Sequence, residues 1–292
     1  MQFIEQEFDY GTTTALVALH VGFVCAIIYG YCFGFYTISW ILAGIFIVGA
    51  GYGVTIAYHR MLTHKSFVCS NRTVRRVLIY FGGLLQRTKS WVANHWSHHA
   101  YTDTILDPHS PYVPYRGGIK GWWHSHLEWL FWKYIPPDKW LNHPDLKDPD
   151  IVWEDRWHIV FVISGFFLPA LIAGSYGILT VGSHAFFWYG IDAFFLSVIR
   201  TVIMLHVTCS INSFGHMVGW KAREPNDRHF TSDSSRNNPP LALISFGEGN
   251  HGDHHLYPGS ARIGWLDPSW PIILFFEKLR IFRDVKRPSL TH

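Results

Sequence analysis

Two stretches of this chain place three histidines at the same offsets. HWSHH contributes His95, His98 and His99, and HGDHH contributes His251, His254 and His255. Offsets of 0, 3 and 4 bring three side chains onto one face of an α-helix. With 19 histidines in 292 residues, chance predicts about 0.08 such triplets, so two form a pattern rather than a His-rich polar surface. Imidazole is neutral near pH 7 and binds Fe, Zn, Cu or Ni. Two smaller motifs join the triplets. His59 and His64 lie five apart in HRMLTH, about 140° from each other on a regular helix. They reach one site only if the helix end unwinds or the site wraps around it. His216 follows Asn212 by four in NSFGH. Taken singly, each of these histidines would pass for a capping or interfacial residue.

Eight or nine convergent histidines exceed what one metal uses, since a structural zinc takes four ligands and a catalytic zinc three. The count favours two metals: iron if oxygen is to be activated, zinc if a bond is to be hydrolysed. Neutral ligands leave such a pair highly positive, so carboxylates are expected to orient the imidazoles from behind. Asp103, Asp107, Glu248 and Asp253 are at hand, although each also fits as an ordinary cap or surface charge. His109, His124, His126 and Trp123, in DPHSP and GWWHSH, either seal the site or orient its ligands, or are structural. His20, alone in the first apolar run, is expected to be dispensable.

The elements that must position these motifs follow from hydropathy. The chain is 49% hydrophobic and 17% aromatic, with mean hydropathy +0.09, which suits a few membrane spans carrying a polar cap. About 20 apolar residues cross a bilayer. The runs that qualify are approximately 14–33, 35–57, 158–177 and 185–207. The fourth carries Asp192 and Arg200, which are expected to face inward and functional, or to sit near the interface. Val77–Leu85 is too short to span. No Lys or Arg occurs in residues 1–57, thirteen lie between Arg60 and Arg156, and eleven between Arg200 and Arg287. By the positive-inside rule both termini and both long polar segments face the cytosol.

The expected fold is therefore an all-α integral membrane protein, a single domain over residues 1–292. Four transmembrane helices form two hairpins, and segments 58–157 and 208–292 form a helical cytosolic cap. Cys25, Cys32, Cys69 and Cys209 make no CxxC pair and read as reduced thiols. The acidic start lacks a basic n-region, so the first run is not expected to be a cleaved signal peptide. Nothing suggests a nucleic-acid partner.

At these residues the sequence resembles the membrane fatty acid desaturase family, in its acyl-CoA, Δ9-type (stearoyl-CoA desaturase-like) branch. The resemblance rests on HRMLTHKSF, on W-x-x-x-H-x-x-HH running into YTDTILDPHSP, on NSFGH, and on GEGNHGDHHLYPGSARIGW, and it covers roughly residues 35–270. It implies two Fe ions held by His59, His64, His95, His98, His99, His216, His251, His254 and His255. It also implies that Asn212 approaches one iron through water, and that Trp91 and Thr208 stand at the bend of a substrate tunnel. No further cofactor-binding residues are assigned. Trp96, Asn250, Gly252, Asp253 and Asn94 depart from the family's usual text at head-group positions. The acyl carrier (CoA, acyl-carrier protein or lipid) therefore stays open.

The resemblance implies insertion of a cis double bond into an acyl chain. Alkyl C–H bonds are unactivated, so no side-chain acid or base removes them and the cofactor must supply the chemistry, with O2 as co-substrate. The chain carries neither an HPGG haem segment nor a cysteine cluster. Electrons must then come from ferredoxin, rubredoxin or cytochrome b5 with a reductase. Arg72, Arg75, Arg76, Arg87 and Lys89 form a basic face that would steer such a donor or bind carrier phosphates, unless it only marks the cytosolic side. The host membrane would be the plasma (inner) membrane of a bacterium or the endoplasmic reticulum of a eukaryote. A hydroxylase, ketolase or acetylenase on the same scaffold is the alternative, and a non-enzymatic membrane metal-binding protein a more distant one. A zinc hydrolase would need an HExxH motif, which the chain lacks.

Overall fold

The computed structural model describes residues 7–222 and 232–287. In chain order its helices are α1 (Tyr10–Phe33), α2 (Thr37–Tyr52), a π-helical continuation of α2 (Gly53–Thr63), α3 (Arg72–Gly82), α4 (Thr88–Tyr101), α5 (Gly118–His126), α6 (Asp138–Leu141), α7 (Pro149–Thr180), α8 (Ala185–Met217), α9 (Pro239–Ile244), α10 (His251–Leu256) and α11 (Ser269–Lys278). The chain is mostly helical, with one departure from the all-α expectation: Val68–Cys69 pairs antiparallel with Phe282–Arg283 in a two-residue ladder.

Four helices are long and apolar enough to cross a membrane: Tyr10–Phe33, Thr37–Thr63, Pro149–Thr180 and Ala185–Met217. Their outward residues, such as Val17, Val21, Ile45, Leu171 and Phe187, are exposed, as lipid-facing positions should be. The helices outrun the apolar stretches that mark them. Asp148 accepts from the Asp150 backbone N–H at 2.9 Å and starts α7 in polar sequence. At the other end α8 continues to Met217, so that Thr208, Asn212 and His216 ride on the same rod as the apolar run.

α8 packs against α1, α2, α5 and α7. Asp192 and Arg200 of its apolar stretch both face inward, where they join helices. Asp192 accepts the Tyr36 backbone N–H at 3.0 Å at the start of α2. Arg200 donates to the Gly165 carbonyl of α7 at 2.8 Å and lies over the Phe46 ring of α2. The basic residues of α3 are likewise engaged. Arg75 pairs with Asp148 at 2.6 Å and Arg76 with Asp150 at 2.8 Å. They fasten α3 to the start of α7 rather than forming a free cationic face. A core of Ile56, Leu62, Ile79, Val92, Ile151 and Phe282 supports the histidine-bearing segments.

α3 crosses the π-helical segment at backbone contact. A Cβ built on Gly53 would lie 2.2 Å from the Gly82 nitrogen, whereas one on the exposed Gly44 meets nothing within 4 Å. Gly53→Ala is therefore expected to destabilise the protein by about 1–3 kcal/mol, visible as a lowered melting temperature in detergent. Gly44→Ala should leave it unchanged or slightly raised.

Candidate metal centre

His59 and His64 come together because the helix that carries them is not an α-helix. Over the 11 residues Gly53–Thr63 the backbone closes i to i+5, and the His64 N–H donates to the His59 carbonyl at 3.1 Å. Residues five apart thus sit about one turn apart, and the two rings lie 4.9 Å from each other. This removes the 140° separation that a regular helix imposes.

α4 carries the HWSHH triplet, and its position is fixed at its start. The buried Glu154 of α7 accepts the Thr88 backbone N–H at 2.8 Å while His158 donates to its other oxygen at 2.7 Å. α10 carries the HGDHH triplet. Within each triplet the shared face is split between two groups. His59, His64, His95, His99 and His254 form one, and His98, His216, His251 and His255 form the other, with ligand-type atoms in each group within 4.8 Å of one another. In the first, Nε2–Nε2 distances are 2.9 Å (His59–His254), 3.0 Å (His64–His95), 3.0 Å (His95–His99) and 2.8 Å (His99–His254). In the second they are 3.2 Å (His98–His255), 3.1 Å (His216–His251) and 3.1 Å (His251–His255).

Carboxylates stand behind the rings. His98 donates through Nδ1 to Asp107 at 3.1 Å, His216 to Asp103 at 3.1 Å and His255 to Asp233 at 3.0 Å. His59 Nδ1 lies 2.5 Å from a Glu248 carboxylate oxygen. Glu248 in turn meets Arg60, which is held by Asp267 through two contacts of 3.1 Å. A ring that gives Nδ1–H to a carboxylate keeps a bare lone pair at Nε2. Bare nitrogens about 3 Å apart repel unless they share a cation, so the donor set fits a metal site.

The electrostatics agree. Burial, then the neighbouring histidines, push His64, His95, His99, His251 and His254 well below the ordinary histidine range. Burial likewise lowers His255, to about 4, against the opposing pull of Asp233. These rings are neutral, as metal ligands must be. Burial alone would raise Asp107 and Asp103. Their histidine partners and hydrogen bonds outweigh it, leaving Asp107 far below the usual carboxylate range and Asp103 at about 2.

Three of the four carboxylates expected behind the rings are there. Asp253 is not: it accepts from the Asn237 side chain at 2.9 Å instead of from an imidazole. Its place is taken by Asp233, which lies in a loop 22 residues from His255 and bears no helical register to it, so spacing offers no signal. Trp96 donates to the Thr63 carbonyl at 3.1 Å, and Asn250 donates to the Ile263 and Leu266 carbonyls at 2.9 and 2.8 Å. Both departures from the family text therefore hold the histidine segments in place.

Beside His59, His95, His98 and His251 lies a cavity whose wall includes Trp91, Thr208 and Asn212, with Val54, Met204 and Phe246 on its apolar side. Trp91 stacks on His95 with centroids 4.9 Å apart. His109 also lines it, 3.4 Å from Asp107, its ring lowered to about 3 chiefly by burial. His20 and His126, expected to be dispensable or merely sealing, sit in a separate hydrogen-bonded file with His206.

Comparison with known proteins places this geometry. Residues 36–265 match the fatty acid desaturase family. The chain is 35% identical over 253 residues to Delta-9 acyl-lipid desaturase 1 of Arabidopsis thaliana, covering 82% of this chain and 72% of that protein. It is 34% identical over 263 residues to acyl-CoA 5-desaturase AL21 of Anemone leveillei, covering 87% and 73%. A hex-5-enoyl-(acyl-carrier protein) acetylenase of Moorena producens is 30% identical over 291 residues, covering 96% and 83%.

Removing a carboxylate behind a ring releases that ring's orientation. Asp107→Asn and Asp233→Asn are each expected to weaken metal retention about 10- to 100-fold, measured as metal lost to a competing chelator. Asp253→Asn should retain metal like the parent chain.

Proposed function

The chain belongs to the fatty acid desaturase family, and on that premise we propose that it is a membrane fatty acyl desaturase. It would introduce a cis double bond into an acyl chain with O2 and two electrons from an external donor. The observation that carries this reading is the pair of histidine groups converging beside an apolar cavity.

We assign His59, His64, His95, His99 and His254 to one iron, and His98, His216, His251 and His255 to the other. Nine imidazole nitrogens suit two metals. The Nε2 separations of 2.8–3.2 Å leave the rings of each group within reach of one shared cation, and the need to activate O2 favours iron over zinc. When bound, a reduced iron pair supplies O2 activation strong enough to break unactivated C–H bonds.

The chain's own residues do the rest. Carboxylates fix the imidazoles, so their geometry does not relax as the metal charge changes. Trp91 and Thr208 shape the cavity where the acyl chain turns past the metals, the Thr208 hydroxyl being engaged by the Met204 carbonyl at 3.0 Å. Asn212, on the cavity wall, would hold a water toward one metal. The apolar side of the cavity excludes bulk water from the reacting carbons.

We read residues 1–292 as one multi-pass membrane domain of two helical hairpins with a helical cytosolic cap. The termini and active site face the cytosol, a reading supported by all 24 Lys and Arg falling between Arg60 and Arg156 or between Arg200 and Arg287. The membrane is the plasma (inner) membrane in a bacterium and the endoplasmic reticulum in a eukaryote. The substrate is an acyl-CoA, acyl-carrier-protein or acyl-lipid ester, the classes named for the relatives. Electrons come from ferredoxin, rubredoxin or cytochrome b5 with its reductase. One relative favours a second reading: the acetylenase aligns over 96% of this chain, and the same ligands would serve a triple bond.

Gas chromatography with mass spectrometry of lipids from expressing cells should show a new monounsaturated acid with the parent chain and none with His98→Ala or His254→Ala. The purified parent should hold about two irons per chain and the variants fewer. An acetylenic product would replace the first reading with the second. A chain holding zinc alone, with no new acid when donor is supplied, would end both.

A further inference from the structure

The outward side of α11 is not what a water-facing cap helix presents. Within Ser269–Lys278, only Ser269, Glu277 and Lys278 are polar. Ile273 is buried, and Trp270, Ile272 and Phe276 pack on the core beneath the histidine segments. The opposite stripe is Pro271, Leu274 and Phe275, continued by Leu279, at offsets 0, 3, 4 and 8. Phe275 is 56% exposed and Leu279 52%. Trp265, just ahead of the helix, is 66% exposed, and Leu243 and Ile244 at the end of α9 are exposed as well. The Ser269 hydroxyl joins the two helices by donating to the Phe246 carbonyl at 2.7 Å. A helix that is apolar on both faces needs cover on both.

The position of α11 says what covers the second face. The Thr55 hydroxyl lies 2.9 Å from the Ser269 hydroxyl, and the Tyr52 hydroxyl lies 3.5 Å from the Pro268 carbonyl. From Thr37, where that span starts, to Thr55 is roughly 25 Å at helical rise, close to the thickness of the hydrocarbon layer. Along the span Trp40, Ile41, Ile45 and Val48 are exposed, as lipid-facing positions are. The stripe of α11 takes over where this row ends. At the far end of α11 come Lys278, Arg280 and Arg283, all exposed. Among the described residues none of the three pairs with a carboxylate, whereas Arg287 is paired with Glu277. Apolar and aromatic side chains that end in unpaired cations match an anionic leaflet, with acyl chains first and phosphates next. An acidic protein would satisfy the cations and leave Phe275 and Leu279 without purpose.

We propose that α11, with Trp265 ahead of it and the end of α9 beside it, is seated in the leaflet on the histidine side of the membrane, a contact additional to the four spans. Its apolar stripe lies among acyl chains, and Lys278, Arg280 and Arg283 hold the phosphates of anionic phospholipid. The seat reaches the metal centre through Asp267. That carboxylate accepts the Ser269 backbone N–H at 3.0 Å at the start of α11 and holds Arg60, which meets Glu248 beside His59. The proposal rests on the four membrane spans and not on the reaction catalysed.

The test uses the full chain in lipid nanodiscs of equal phosphatidylcholine and phosphatidylglycerol. A photoreactive benzophenone side chain replaces Phe275 or, as a control, Asn142, which is exposed on the cap. On illumination, position 275 is expected to capture phospholipid and position 142 none. The captured lipid should favour phosphatidylglycerol about five-fold, the effect of a single cation at an anionic surface. Lys278→Gln, Arg280→Gln and Arg283→Gln together should leave the capture in place and abolish the preference. Should the triple variant fail to assemble, Lys278→Gln alone is read in the same way, with the preference at least halved. No lipid captured at position 275, equal capture at position 142, or a preference that survives the charge changes would overturn the proposal. So would a triple variant that keeps its lipid preference and binds reduced ferredoxin more weakly, since the face would then serve the electron donor. None of these readouts needs a double bond to be made, so failure of the desaturase reading leaves them intact.

Discussion

An imidazole has two nitrogens, and this structure depends on which of them is occupied. Asp107, Asp103 and Asp233 take Nδ1 of His98, His216 and His255, and Glu248 sits against His59. That choice leaves the Nε2 lone pairs turned toward one another at about 3 Å. A cluster of buried, mutually facing lone pairs is costly by itself, so the surrounding helices must hold it firmly. The buried Glu154 at the start of α4, the Arg60–Asp267 pair beside His59, and the long reach of α8 all serve that hold.

Much of this was legible in the sequence because helical spacing is geometry. The triplets at offsets 0, 3 and 4 had to share faces, and both do. The four long apolar runs had to be helices, and they are. Asp107 lies nine residues from His98, close enough to be suspected from its place after the second box. What escaped were contacts with no register. Asp233 reaches His255 from a loop, while Asp253, inside the third box itself, turns to Asn237. The pairing of Arg75 and Arg76 with α7 also has no local signature, since it joins residues more than seventy positions apart.

The π-helical stretch Gly53–Thr63 supplies the departure from a regular helix that the His59–His64 spacing required. Five residues on an α-helix would have turned His59 and His64 apart; closing the backbone at i+5 turns them together. Tertiary packing selects this backbone over the commoner one. α3 approaches so closely that only glycine fits at position 53. Local propensity does not report such a contact, because the partner strip of backbone comes from Phe81 and Gly82. The same holds for His20, which looked isolated in an apolar run until α5 and α8 were placed against it.

The split of each triplet has a consequence for how the protein is made. Neither HWSHH nor HGDHH serves one group alone: His95 and His99 face one, His98 the other, and His254 is divided from His251 and His255 in the same way. Both groups therefore draw on residues from the front and the back of the chain. On a ribosome, neither group has its full complement of rings until the third box has been synthesised. Iron acquired earlier would meet only a partial set of rings, so loading belongs after translation, when all the membrane helices have already been made.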